Sequence, residues 1–267
     1  MRMILDAVLL NPFPAQCSNF STLTRAVTLW ATDRSSRMRQ IPSLAGEGND
    51  SITWVDGRIV TANMLEMQMH DLDGTNPTRL KSYSTIYRNL TRCGVGGVAY
   101  WAFDDTHRSH IARTDIVTGS TTRLTDGPSD SYATCTADGT ALVFNHCTDN
   151  DLHCALTRKS LDSGQSVSLY EERNDEDLGG PLLLSPDGSK VLFAKDRPPD
   201  PFEWLAWVPL SGGSLQRVRM PVTASEVTQY RWAPDGKSIL YSHAENGVGN
   251  IWSAPLDGKA PRKLTAF

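Results

Sequence analysis

A glycine-closed turn followed by a short apolar run occurs five times in this chain of 267 residues. The turn pairs are Asp56-Gly57, Gly96-Gly97, Asp138-Gly139, Asp187-Gly188 and Asp235-Gly236, and their second glycines fall 40, 42, 49 and 48 residues apart. A second turn trails each one: Asp73-Gly74, Thr118-Gly119, Ser163-Gly164, Gly212-Gly213 and Asp257-Gly258. Glycine reaches positive φ without steric cost, so such pairs reverse the chain tightly. A period of about 40–50 residues, filled with short strands between tight turns, is the pattern of a radially repeated all-β array, a β-propeller. That architecture hosts many unrelated functions and does not by itself name one.

The last repeat shows the unit most clearly. Tyr230 to Ala233 leads into Pro234-Asp235-Gly236-Lys237, where proline presets the turn. Ser238 to Ser242 reads as a buried strand, and the polar stretch from Ala244 to Gly249 separates it from Asn250 to Ala254. Asp257-Gly258 then turns the chain toward Arg262-Lys263-Leu264-Thr265. Four strands and three turns make one blade. The same order divides the chain into full blades at 51–90, 91–130, 131–178, 179–226 and 227–267, after a partial blade at 1–50. Val27 to Ala31 and Arg39 to Ile41 supply the partial blade's third and fourth strands, and its first two are not found. The expectation is a single all-β domain of four-stranded antiparallel blades, six in number, with the first incomplete. Phe267 follows directly on a fourth strand, which suggests a truncated reading frame or an excised domain.

The net charge of −4 carries no basic footprint for nucleic acid. No apolar run approaches membrane-helix length. Asp6, Pro12 and Pro14 break the apolar N-terminus and make it a poor signal peptide, so a strand is the better reading there. Compartment stays open: periplasmic if tethered to an upstream membrane-anchored kinase, otherwise cytoplasmic. The five cysteines, Cys17, Cys93, Cys135, Cys147 and Cys154, are too few and too odd for a disulfide framework and fit a reducing compartment, or a fragment whose compartment was set elsewhere.

Leu184-Ser185-Pro186-Asp187-Gly188-Ser189-Lys190-Val191-Leu192-Phe193 and Trp232-Ala233-Pro234-Asp235-Gly236-Lys237-Ser238-Ile239-Leu240-Tyr241 resemble the TolB-like, WD-type propeller repeat. The run from Gly247 to Gly258, with Pro261 to Thr265, is similar to the C-terminal propeller of bacterial serine/threonine protein kinases and winged-helix regulators. The resemblance implies a non-catalytic module for protein–protein interaction or ligand sensing inside a larger signalling protein, with an unknown protein or small molecule as partner. It implies no cofactor. Kinase, P-loop, HExxH and GxSxG motifs are absent from the chain. The alternatives are the propeller of a serine peptidase, a propeller lyase with a metal at the channel mouth, or a free-standing TolB-like envelope protein.

No catalytic, cofactor or metal residue is assigned, and three groups invite attention. His146-Cys147 and Cys154 with His153 flank a polar hairpin loop. If Cys147 pairs with Cys154, both sulfurs share one face and the histidines the other, which suits a disulfide; a slip of one residue sets Cys147 against His153 and suits a metal; reduced thiols in a solvated loop are the plain alternative. Phe202 and Trp204, after three prolines, form a candidate interaction loop, unless Trp204 begins a strand and packs between blades. His107 and His110 follow Asp104-Asp105 in a surface loop and weakly suggest a metal. His70 and His243 face solvent or pack. The acidic run from Glu171 to Asp177 reads as a solvated inter-blade connection, and Trp30, Trp54, Trp207, Trp232 and Trp252 as inter-blade packing. Cys93 and Cys135 precede equivalent turns in successive blades, where their α-carbons are expected to lie beyond disulfide reach.

Overall fold

The computed structural model describes residues 29–32, 38–41, 51–62, 66–82, 88–104, 106, 108–148, 153–172, 177–197, 200–220, 227–246 and 248–266. Their regular elements are all strands. β1 (Leu29–Thr32) and β2 (Met38–Ile41) form a hairpin. Five four-stranded antiparallel blades follow. The first is β3 (Ser51–Val55), β4 (Arg58–Ala62), β5 (Glu66–His70) and β6 (Thr78–Ser82); the second is β7 (Arg88–Arg92), β8 (Gly97–Phe103), β9 (Ser109–Asp115) and β10 (Thr121–Arg123). The third is β11 (Ser129–Cys135), β12 (Ala141–Cys147), β13 (Cys154–Ser160) and β14 (Ser166–Glu171); the fourth is β15 (Asp177–Leu184), β16 (Lys190–Arg197), β17 (Asp200–Pro209) and β18 (Gln216–Arg217). The fifth is β19 (Val227–Trp232), β20 (Ser238–Glu245), β21 (Val248–Pro255) and β22 (Arg262–Lys263). The chain is thus an all-β propeller of four-stranded antiparallel blades. The first two strands expected of a further blade fall on residues 1–28, outside the described residues.

The core lies between blades rather than within them. Alternation along each strand sends one row of side chains to the preceding blade and the other to the next. In β16, Val191 and Phe193 enter a cluster with Val143, Leu156 and Leu178 of neighbouring strands, while Leu192 and Ala194 enter the next cluster with Ile239, Tyr241 and Ala254. Trp207 and Trp252 pack against this second cluster, and Trp232 is part of it. The innermost strands β7, β11, β15 and β19 each shift register once, between Arg88 and Thr91, Ser131 and Thr134, Gly179 and Leu183, and Val227 and Gln229. β-bulges of this kind sharpen the local twist. β3 pairs with β4 without a shift.

Two cysteine expectations are corrected here. Cys93 and Cys135 are disulfide-bonded, with α-carbons 4.9 Å apart, instead of lying out of reach as separate packing residues. Strands before equivalent turns are the innermost of their blades, where the radial array brings neighbouring blades closest. Gly139 has no side chain where it meets Gly94; a Cβ on it would stand 2.7 Å from the Gly94 Cα. That contact draws the two inner backbones together and places the thiols in bonding range. Cys147 and Cys154 are also bonded. Four of the five cysteines are therefore paired, and the set is a disulfide framework after all; Cys17 lies outside the described residues.

Candidate functional site

Antiparallel blades place their two kinds of connection on opposite faces. The turns from first to second and third to fourth strand share one face; the loops from second to third strand and the connections between blades share the other. On the turn face, Asp56 reaches the next blade, accepting from Arg92 Nη2 at 2.9 Å and from the Gly96 amide at 2.5 Å, whereas two other aspartates are held within their own turns. Asp138 Oδ1 accepts from the Thr136 hydroxyl (2.6 Å), the Thr140 amide (3.0 Å) and the Thr140 hydroxyl (2.9 Å). Asp187 repeats the pattern with Ser185 (2.5 Å) and the amide and hydroxyl of Ser189 (3.0 and 2.8 Å). These donors favour the ionised form, so the Thr136 hydroxyl first and then Thr140 lower the Asp138 pKa, and the Ser185 hydroxyl and then Ser189 lower that of Asp187.

The loop face holds a buried acid that meets a histidine across strands. Asp130 on β11 is wholly buried, and His146 on β12 stands opposite it in register. Their Nδ1 and Oδ1 atoms are 2.7 Å apart. A carboxylate oxygen accepts, so the imidazole donates from Nδ1. The second carboxylate oxygen accepts from the Gly127 amide at 3.1 Å. A Cβ on Gly127 would collide with this carboxylate, so glycine there makes its cradle. Phe144 abuts the imidazole edge-on, with centroids 6.3 Å apart. The His146 side chain is 42% exposed against 1% for Asp130: a buried acid orients a ring that reaches solvent.

Around this pair the other candidates take separate places. Cys147 and Cys154 stand directly opposite, in the register that puts both sulfurs on one face, and His146 faces Ala155. His153 is exposed, and its carbonyl accepts from the Thr148 amide to close the hairpin. His110 is half-buried; burial first, then the positive charge of Arg123, lowers its pKa, and its Nδ1 has no hydrogen-bond partner among the described residues. His107 lies outside the described residues. Asp104 accepts from the Thr106 hydroxyl and amide and the Arg108 amide, and these bonds, with the Thr106 hydroxyl foremost, bring its pKa down to about 2. Arg123 reaches Asp104 at 3.6 Å and Asp126 at 3.3 Å. His70 and His243 are buried, the former 3.0 Å from the Thr61 hydroxyl through Nε2.

Trp204 sits inside β17, half-buried, with Arg217 4.1 Å and Lys195 4.9 Å from its ring. The Phe202 side chain lies outside the described residues. Lys195 is 1% exposed and donates to the Tyr170 hydroxyl at 2.5 Å, which ties blade four to blade three. In the acidic connection, Glu172 accepts from the Cys154 amide at 3.2 Å and from the Leu178 amide, clipping the same two blades. Among the described residues no group of three or more His, Cys, Asp or Glu is placed to hold a metal ion, and no helix is long and apolar enough to cross a membrane.

Asp130, Lys195 and the Cys93–Cys135 link escape a reading of the sequence. The signal for Asp130 was faint but present: Gly127-Pro128-Ser129-Asp130 enters a strand with an acid at an inward position. An oriented imidazole whose Nε2 bonds to none of the described residues is able to accept a hydrogen bond, take a proton or bind a metal.

No protein-family model matches the chain, and no curated protein sequence matches it. Solved structures do. TolB from Acinetobacter baumannii superimposes with a TM-score of 0.61 at 18% identity, over 90% of this chain and 65% of that one. A putative TolB from Agrobacterium tumefaciens gives 0.68 at 15% identity, covering 87% and 85%. An oligogalacturonate lyase in complex with manganese gives 0.66 at 11% identity, covering 90% and 70%. This chain thus spans about two thirds of the Acinetobacter TolB, and at these identities the likeness is one of fold.

Proposed function

We propose that this propeller is a non-catalytic binding module, for protein–protein interaction or ligand sensing, in a larger bacterial signalling protein of the kind that joins a kinase or winged-helix domain to a propeller. The observation that carries this is the pairing of a buried acid with a partly exposed imidazole on the loop face. His146, whose side chain is 42% exposed, is oriented there by wholly buried Asp130. Rigid scaffolds commonly place recognition on such loops. A photo-crosslinking residue at exposed Thr148 on the loop face, compared with one at exposed Ala137 on the turn face, tests this in the source cell. A discrete adduct from position 148 and none from 137 is expected; adducts from 137 alone would sink the proposal. Coding DNA upstream of the segment tests the signalling context, where an in-frame kinase or winged-helix domain is the expected result.

The enzyme alternative has one observation in its favour, because a buried acid behind an exposed histidine also orients a general base. In that case His146→Ala abolishes turnover of a substrate; in the binding proposal it weakens capture at the loop face and no turnover exists to lose.

A further inference from the structure

We infer that this propeller matures in an oxidising compartment and meets its partner there, with Cys93–Cys135 as a permanent inter-blade staple and Cys147–Cys154 as a reducible clasp on the loop-face hairpin. The clause about the partner rests on the binding proposal above; the redox assignment does not. Two independent geometries carry it. Cys147 and Cys154 are directly opposed residues of one hairpin, with α-carbons 4.0 Å apart. Cys93 and Cys135 are 42 residues apart in sequence and sit on different blades, brought together by the Gly94–Gly139 backbone contact. Local chain reversal explains the first pairing and inter-blade packing the second, so neither follows from the other. Structural disulfides persist where thiols are not kept reduced by the cytosolic pool.

Accessibility divides the two links by role. Cys93 is 0% and Cys135 6% exposed, inside the cluster that joins blades two and three. No external thiolate reaches them without separating the blades, so this link is structural. Cys154 is partly exposed at the edge of the hairpin, within reach of an attacking thiolate. Formation needs an oxidant of the disulfide class, such as an oxidised dithiol oxidoreductase or glutathione disulfide. One cysteine thiolate attacks the oxidant's disulfide, forming a mixed disulfide and releasing one oxidant thiol. The second cysteine attacks that mixed disulfide and releases the other thiol. The protein loses two protons and two electrons for each bond, and the oxidant gains them. For Cys93 and Cys135 this must precede the final closing of blades two and three.

The test uses the natural full-length protein. Thiols in living source cells are blocked with N-ethylmaleimide before lysis, and the protein is digested without reductant for mass spectrometry. Unlabelled, linked peptides for Cys93–Cys135 and Cys147–Cys154 are expected; soluble folded protein with label on Cys93 and Cys135 overturns the inference. Cys93→Ser with Cys135→Ser should lower the urea midpoint by about 1 M. If that variant does not accumulate, Cys147→Ser with Cys154→Ser is unfolded with and without a phosphine reductant, which isolates the Cys93–Cys135 link, and equal midpoints refute the staple. Under mild reductant Cys147–Cys154 should open about ten-fold faster than Cys93–Cys135, and equal rates refute the division of roles. Linked cysteines without a Thr148 adduct would sink the binding proposal alone; labelled thiols with that adduct would sink the compartment alone.

Discussion

The joint between blades two and three and the joint between blades four and five are built from the same repeat yet held in opposite ways. The first holds Cys93, Ala99, Ala133 and Cys135 beside Ile111, Leu142 and Phe144, with Trp101 packed against them. Its backbones touch at Gly94 and Gly139, a disulfide crosses it, and β11 adds a parallel bridge from Ser129 to Ser109 of β9. The second is lined by Leu192, Trp232, Ile239 and Tyr241, with Trp207 and Trp252 against them. There the Gly236 turn meets only Pro186, 3.6 Å from where a Cβ would sit. Side chains span the gap instead: Trp232 donates from Nε1 to the Leu183 carbonyl at 2.9 Å, and the Tyr230 hydroxyl to the Pro181 carbonyl at 2.9 Å. Where glycines let two inner backbones meet, a disulfide joins the blades; where they do not, long polar side chains make the bridge.

The sharpest way to break this comparison is a matched pair of substitutions. Gly139→Ala forces a side chain into positive φ and into the Gly94 backbone, and should cost about 3 kcal/mol or more. Gly188→Ala occupies the same turn position with open space around it and should cost about 1 kcal/mol. Equal urea midpoints for the two variants would show that the Gly94 contact contributes nothing. Next in size, Asp130→Ala leaves the Gly127 amide without its acceptor and His146 without its orienting partner; about 2 kcal/mol should be lost, and nitrogen-15 chemical shifts should show the His146 tautomer no longer held. An unchanged tautomer would detach Asp130 from the site. On the other joint, Trp232→Phe removes the bond to Leu183 while keeping an aromatic ring, for about 1 kcal/mol by thermal or urea unfolding.

The smallest effect involves neither joint and serves as their common baseline. Burial lowers the pKa of His70 in the first blade below its ordinary value of 6.5. The unfolded chain then binds more protons than the folded one in the window just below that value. Stability should therefore fall as the pH drops through it, and His70→Gln should flatten the slope. An identical slope in the variant would assign the effect to other groups, His110 first, since burial lowers its pKa as well.

Much of the fold was legible because its instructions are local. Pro186-Asp187-Gly188 carries its own turn chemistry, with Asp187 accepting from residues no more than two positions away. Strand alternation in Val191 to Ala194 already sorts side chains between two inter-blade clusters. The candidate site was legible only in part. His146, Cys147, His153 and Cys154 stand out by spacing, but Asp130 lies 16 residues from His146, and its cradle depends on the missing side chain of Gly127. Trp204 reads in sequence either as a recognition aromatic or as a strand residue packed between blades; it lies in β17 against a core cluster, with Lys195 and Arg217 stacked on it from paired strands.

Period, turn type and strand alternation are set by φ preferences and side-chain polarity over a few residues, so the chain's sequence alone determined an all-β propeller of four-stranded blades and where its turns fall. The distance between blades is a sum over many contacts that no short segment contains. Only the tertiary structure could therefore decide that Cys93 reaches Cys135, that Asp130 is buried behind His146, and that Lys195 of one blade meets Tyr170 of its neighbour.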